Sequence, residues 1–169
     1  MKKPLVSLVL LVLAACSSSA SITGPGGFTP NTQWAGFPLV LDDGGTSMQF
    51  VFIGIAEIDQ GPQTCDELLD AGIGHLTGHA LALTLANADG GVTTGAYTIT
   101  PDFTNATGLV ASVSLSVGDA GITEIGISGA VTLTQVGSTY AGSFTSIVTQ
   151  GDGGTGTLTG SFSAPLCPP

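Results

Sequence analysis

Two histidines, His75 and His79, stand four residues apart. On a helix that spacing turns both imidazoles to one face, a geometry that zinc uses. Here Gly72, Gly74 and Gly78 break any helix, and Leu76 stands where a metalloprotease motif carries its glutamate. The pair therefore reads as loop or strand-edge histidines. Four carboxylates, Glu57, Asp59, Glu67 and Glu124, are available for acid–base work, but no spacing among them favours a glycosidase pair. Glu57 and Asp59 share one face of a strand and read as a wet edge. Nucleophilic catalysis needs a base beside an activated hydroxyl, and no Gly-x-Ser-x-Gly elbow occurs. The chemistry-bearing residues thus point away from an enzyme.

The acidic turns offer different chemistry. Asp-Gly-Gly occurs at Asp43, Asp89 and Asp152, and Asp119 sits in another turn. Asp and Gly suit tight hairpins because both tolerate positive φ. In an up-and-down sheet every second turn falls at the same end. The turns holding Asp89, Asp119 and Asp152 are alternate ones, so they are expected on one rim. Such a rim would offer Ca²⁺ the hard oxygens it prefers.

The N-terminus is the most specific segment. Met1-Lys2-Lys3 is basic, Leu5 to Leu13 is almost wholly apolar, and Leu13-Ala14-Ala15-Cys16 closes with small residues and a thiol. These are the regions of a secretory signal in order. The apolar run is about half the roughly 20 residues that cross a bilayer, and Ser17-Ser18-Ser19 follows at once, which argues against an uncleaved anchor. The ending resembles the lipobox of bacterial lipoproteins. That resemblance implies cleavage before Cys16, a thioether-linked diacylglycerol on Cys16, and an acylated amine. Ser17, in place of the Asp that often marks inner-membrane retention, implies transport to the outer membrane. The expected organisation is a signal peptide over 1–15, a flexible tether over 16–33 rich in Ser, Gly and Pro, and one domain over 34–169.

Composition then excludes several classes. The only two cationic residues of fixed charge, Lys2 and Lys3, leave with the signal, whereas all 12 carboxylates stay; the remainder carries a formal charge of −12. Phosphate backbones are held chiefly by Lys and Arg, so nucleic acid is excluded as a partner, and nucleotide phosphates and acidic polysaccharides are disfavoured. The acidity itself suits solubility. Cys65 and Cys167 remain as an even pair in an oxidising compartment and are expected to form a disulfide.

Alternating apolar and polar residues supply the scaffold. Met48 to Ile58 is apolar on both faces and reads as a central, doubly covered strand. Thr64 to Ala71 reads as one short helix, with Thr64 as N-cap and Gly72 as stop. Trp34 reads as a plug at the domain edge. From Ala111 onward four strands follow: 111–117 alternates without a break; Ile127, Val131 and Leu133 alternate with Ser128, Thr132 and Thr134; Tyr140, Gly142 and Phe144 face one way; so do Leu158, Gly160 and Phe162. This is the pattern of an antiparallel meander with a wet Ser/Thr face. The fold expected is all-β, an antiparallel β-sandwich or partly closed barrel of about eight strands with a short helix near 64–71. The ending Gly156 to Cys167 resembles the terminal strand of uncharacterised secreted bacterial β-domains. The function expected is a membrane-anchored envelope lipoprotein whose domain does non-enzymatic binding or structural work, its partner another envelope protein or a neutral glycan. The alternative is a calcium-binding or calcium-stabilised surface module.

Overall fold

A computed structural model describes residues 20–36, 39–42, 47–58, 65, 78–103, 106–117 and 122–167. Ten strands run through them: β1 (Ser21–Thr23), β2 (Thr32–Ala35), β3 (Leu39–Asp42), β4 (Ser47–Ile58), β5 (Gly78–Asn87), β6 (Gly95–Ile99), β7 (Leu109–Val117), β8 (Ile122–Gln135), β9 (Thr139–Thr149) and β10 (Thr155–Pro165). All belong to one sheet. Nine follow the order β1-β10-β9-β8-β6-β7-β5-β4-β2, and β3 pairs with β4 off this path. The all-β expectation holds, but a single sheet curls into a half-barrel where two stacked sheets were one of the alternatives. Its flanks approach at a parallel bridge between Ala35 and Leu166. There the Cys167 N–H donates to the Ala35 carbonyl at 2.8 Å, and the Ser163 N–H donates to Gln33 Oε1 at 2.9 Å. The short helix expected over 64–71 lies outside the described residues except for Cys65, which is helical.

The terminal meander forms as its alternation requires. β7 pairs with β8, β8 with β9, and β9 with β10, all antiparallel. One element breaks the simple pattern. β6 lies between β7 and β8, parallel to β7 at Thr98 and Ile99 and antiparallel to β8 over Gly95–Thr98. The connection after β6 therefore crosses back before β7 begins. It is held there by Phe103, whose ring meets Phe50 of β4 edge-on at 5.9 Å. The turn into β6 is fixed by buried Tyr97, whose hydroxyl donates to the Thr93 carbonyl and accepts from the Thr93 N–H.

β8 can serve two neighbours because it is bulged. Its start pairs with β7 and its later half with β6, and the register to β9 slips between Gly126 and Ser128. The slip turns Ile127 out: it is 41% exposed, although the alternation of the sequence grouped it with buried Val131 and Leu133. Gly129 sits beside the bulge at φ +127, and a Cβ there would overlap the Thr145 carbonyl oxygen. Gly129→Ala is expected to destabilise the domain by about 1–3 kcal/mol, read as a lower denaturant midpoint.

Two apolar clusters stabilise the curl. The inner one takes alternate residues of every long strand, among them Ile53, Leu83, Leu115, Leu133, Phe144 and Leu158. The outer one covers the back of β4 and β5 with Trp34, Ala56, Ile58, Ala80, Ala82 and Cys167, with Phe52 and Cys65 packed against it. β4 is thus covered on both sides, as its two apolar faces predicted. Trp34, at 1% exposure, is the expected plug.

The tether expectation is corrected for residues 20–33. Ser21–Thr23 pairs with β10, and Ile22 and Phe28 are buried in the inner cluster. The Gly-Pro-Gly-Gly stretch is a turn, closed by the Gly27 N–H donating to the Gly24 carbonyl at 3.0 Å. Turn glycines and linker glycines look alike in sequence, and a three-residue strand is too short to show a period.

Candidate functional site

Two features of the half-barrel have the chemistry of a site. The first is the outer face of β6, β8, β9, β10 and β1. Cross-strand partners share a face, so register places their side chains in rows. Ala96, Thr132, Ser143, Ser161 and Ser21 form one row; Thr98, Ala130, Thr145, Thr159 and Thr23 form the next. Ser128, Ile147 and Thr157 begin a third. Strand geometry spaces neighbours by about 4.8 Å across a row and about 6.8 Å between rows. Some hydroxyls bond to one another, as Thr23 and Thr159 do at 2.8 Å. Apart from Glu124 of β8, these five strands contain no Asp, Glu, Lys, Arg or His, and their two tyrosines, Tyr97 and Tyr140, are buried. Ile147 of the third row, with Ile125 and Ile127 close by on β8, stands out at 41%, 47% and 41% exposure respectively. The surface therefore offers many donors and acceptors, a small apolar ridge, and no charge.

The second feature is one mouth of the half-barrel, the end where β4 finishes and β5 starts. Glu57 of β4 lies opposite His79 of β5, and their Oε2 and Nδ1 atoms are 3.7 Å apart. The ring of Phe28 stacks on His79 with centroids 5.8 Å apart. His79 is thus occupied by a carboxylate and an aromatic ring. His75, its expected neighbour, lies outside the described residues, as do Asp59 and Glu67 of the carboxylate candidates.

Glu124 enters the same mouth from β8. It pairs opposite core residue Leu115, which turns it inward, and only 8% of it is exposed. Its Oε2 has no hydrogen-bond partner among the described residues. Burial pushes the carboxyl pKa up, and the charge of Asp152 pushes it further. The native state consequently holds this proton more tightly than the unfolded chain does. For this group, stability is fullest below the unfolded-state pKa, is lost as pH rises through the elevated native value, and is level above it. With divalent cations chelated, Glu124→Gln is expected to stabilise the protein at neutral pH by about 1–3 kcal/mol, the scale of an unsatisfied buried polar group. Urea midpoints measured from acid to neutral pH check it: the gain should vanish at the acid end, and a pH-independent difference would contradict it.

Of the rim expected from Asp89, Asp119 and Asp152, the two described residues, Asp89 and Asp152, do not share an end of the sheet. Asp89 follows Asn87 of β5, which pairs with Leu109 at the start of β7. Asp152 follows Thr149 of β9, which pairs with Ile125 in the part of β8 that lies along the second half of β7. The two are at opposite ends of the sheet. The crossing after β6 makes β7 run parallel to β6, so the β9–β10 turn that carries Asp152 falls at the end opposite to that of a simple up-and-down order. Asp119 lies outside the described residues. Asp89 and Asp152 both do turn work: the Asp89 N–H bonds Asn87 Oδ1 at 3.0 Å, and Asp152 Oδ1 accepts from the Gly154 N–H at 2.8 Å. Among the described residues no three His, Cys, Asp or Glu side chains gather as a metal cluster.

The disulfide forms as expected between Cys65 and Cys167, with Cα atoms 5.5 Å apart. Cys16 lies outside the described residues. No family model, curated protein or solved structure matches the chain. Sequence reasoning missed the inward turn of Glu124, which depends on the β8 bulge. The hydroxyl rows were legible as alternation, but their alignment across five strands depends on register.

Proposed function

We propose that the protein is an envelope lipoprotein, anchored through a lipid on Cys16 in the outer membrane, whose β-domain is a non-enzymatic binding module for a neutral glycan. The observation that carries this reading is the charge-free hydroxyl face. Each Ser or Thr hydroxyl both donates and accepts, so it matches the hydroxyls of an uncharged sugar polymer. The exposed isoleucines give the apolar C–H face of a sugar ring a place to rest. A polyanion finds no Lys or Arg beyond the signal to pair with. We read the half-barrel, joined at the Ala35–Leu166 bridge, as a partly closed barrel: a stiff frame for a fixed array rather than a hinge around a substrate.

The anchor and the face are tested separately. Cys16→Ser is expected to move the protein from the membrane pellet to the soluble envelope fraction. Thr145→Lys together with Ser161→Lys is expected to leave it in the pellet and to abolish retention on neutral envelope polysaccharide. A membrane-bound Cys16→Ser protein overturns the anchor. Undiminished retention by the lysine variant overturns the face, and retention on an envelope protein in place of polysaccharide overturns the choice of ligand.

A further inference from the structure

We propose that Glu124 and Asp152 together hold a Ca²⁺ ion at the mouth of the half-barrel. Glu124 is turned inward opposite Leu115, and its Oε2 is sealed from water without a donor among the described residues. A buried carboxylate oxygen in that condition is destabilising unless a proton or a cation satisfies it. Beyond the signal the chain has no Lys or Arg to supply that charge.

Asp152 is the neighbour that makes the position a site. Ile125 pairs with Thr149, and the chain turns immediately afterwards. The Gln150 N–H donates to the Gly154 carbonyl, and the Gly153 N–H to the Gln150 carbonyl, both at 2.9 Å. Gly153 takes φ +85, which a side chain resists. Thr149 and Thr155 pair at the base of this turn, and Thr149 lies opposite Ile125, so Asp152 is carried at the end of the sheet where Glu124 stands; its charge adds to burial in raising the Glu124 pKa. Asp152 Oδ1 accepts from Gly154, a bond that does not use the second carboxylate oxygen. Asp152 is exposed and Glu124 is buried, so an ion can enter from solvent and stop against the inner carboxylate.

Two carboxylates are hard oxygen donors. Ca²⁺ accepts irregular geometry and completes its shell with water and carbonyls, whereas Mg²⁺ demands a near-ideal octahedron. Few protein ligands place the site in the weak range of extracellular calcium modules. The site differs from the three-turn rim expected from the sequence, since its inner ligand is a strand residue and Asp89 has no part in it.

The test compares the melting temperature of the full lipidated protein in nonionic detergent with excess chelator and with millimolar Ca²⁺ at neutral pH. The wild type is expected to melt about 3 °C higher with Ca²⁺. Glu124→Gln is expected to melt higher than wild type in chelator and to lose the calcium response. Asp152→Asn, whose amide oxygen can still accept from Gly154, is expected to lose most of it. An unchanged wild-type melting temperature would overturn the proposal, as would an equal calcium shift in Glu124→Gln.

Discussion

Removing the Cys65–Cys167 disulfide is expected to lower the stability of the domain by about 4–5 kcal/mol, because the bond closes a 102-residue loop and long loops lose the most entropy when cross-linked in the unfolded chain. The bond also acts where the architecture most needs a fastener. Cys167 is fully buried in the outer cluster and donates its N–H to Ala35 at the seam between β10 and β2. That seam has few backbone bonds, so the tail of β10 depends on the covalent link to remain beside β2. Denaturant titrations with and without reductant, and of the Cys65→Ser/Cys167→Ser double variant, provide the measurement. Both reduced forms should lose several kcal/mol, a large part of the 5–15 kcal/mol that ordinary domains possess. Equal midpoints in oxidised and reduced protein would show that the outer cluster holds the seam unaided.

Trp34→Ala is expected to destabilise by about 3–5 kcal/mol, the range for deleting a large buried aromatic side chain. Trp34 pairs across from Gly54, and its ring occupies the space where a Gly54 Cβ would stand. It also makes a tilted contact with Phe52 at 6.4 Å between centroids. The two positions are therefore coupled. Gly54→Val alone should also destabilise, because its side chain collides with the indole. In the Trp34→Ala background the same change should cost less, since the valine then fills part of the cavity. Additive losses in the double-variant cycle would contradict this packing. The Trp34 indole N–H has no partner among the described residues, which removes part of the benefit of burial and places the loss nearer the lower end of the range.

The legible parts of this fold are those where alternation is long and uninterrupted. β7, β9 and β10 repeat apolar and polar residues over nine to eleven positions, and their meander follows from that pattern alone. β4 shows two apolar faces because apolar clusters cover both of its sides. The disulfide was legible from arithmetic, since two cysteines remained once Cys16 was assigned to lipid.

What sequence could not show depends on crossings and register. β6 has five residues, too few to reveal that it runs parallel to β7, and that one crossing sent Asp89 and Asp152 to opposite ends. In β8 the residues Ile127, Gly129, Val131 and Leu133 keep odd parity throughout, so no phase change announces the bulge. Register alone shows that one extra residue turns Ile127 out and Glu124 in. Ser21-Ile22-Thr23 alternates correctly but is too brief to separate from a tether.

Binding of the lipidated protein to the neutral polysaccharide of its own envelope, measured as an isotherm over a range of salt, tests the central claim most directly. A surface of hydroxyls without charge has no ion pairs to screen, so the account predicts saturable binding whose midpoint stays constant as salt rises. Absence of binding, or binding that weakens steeply with salt, would contradict it.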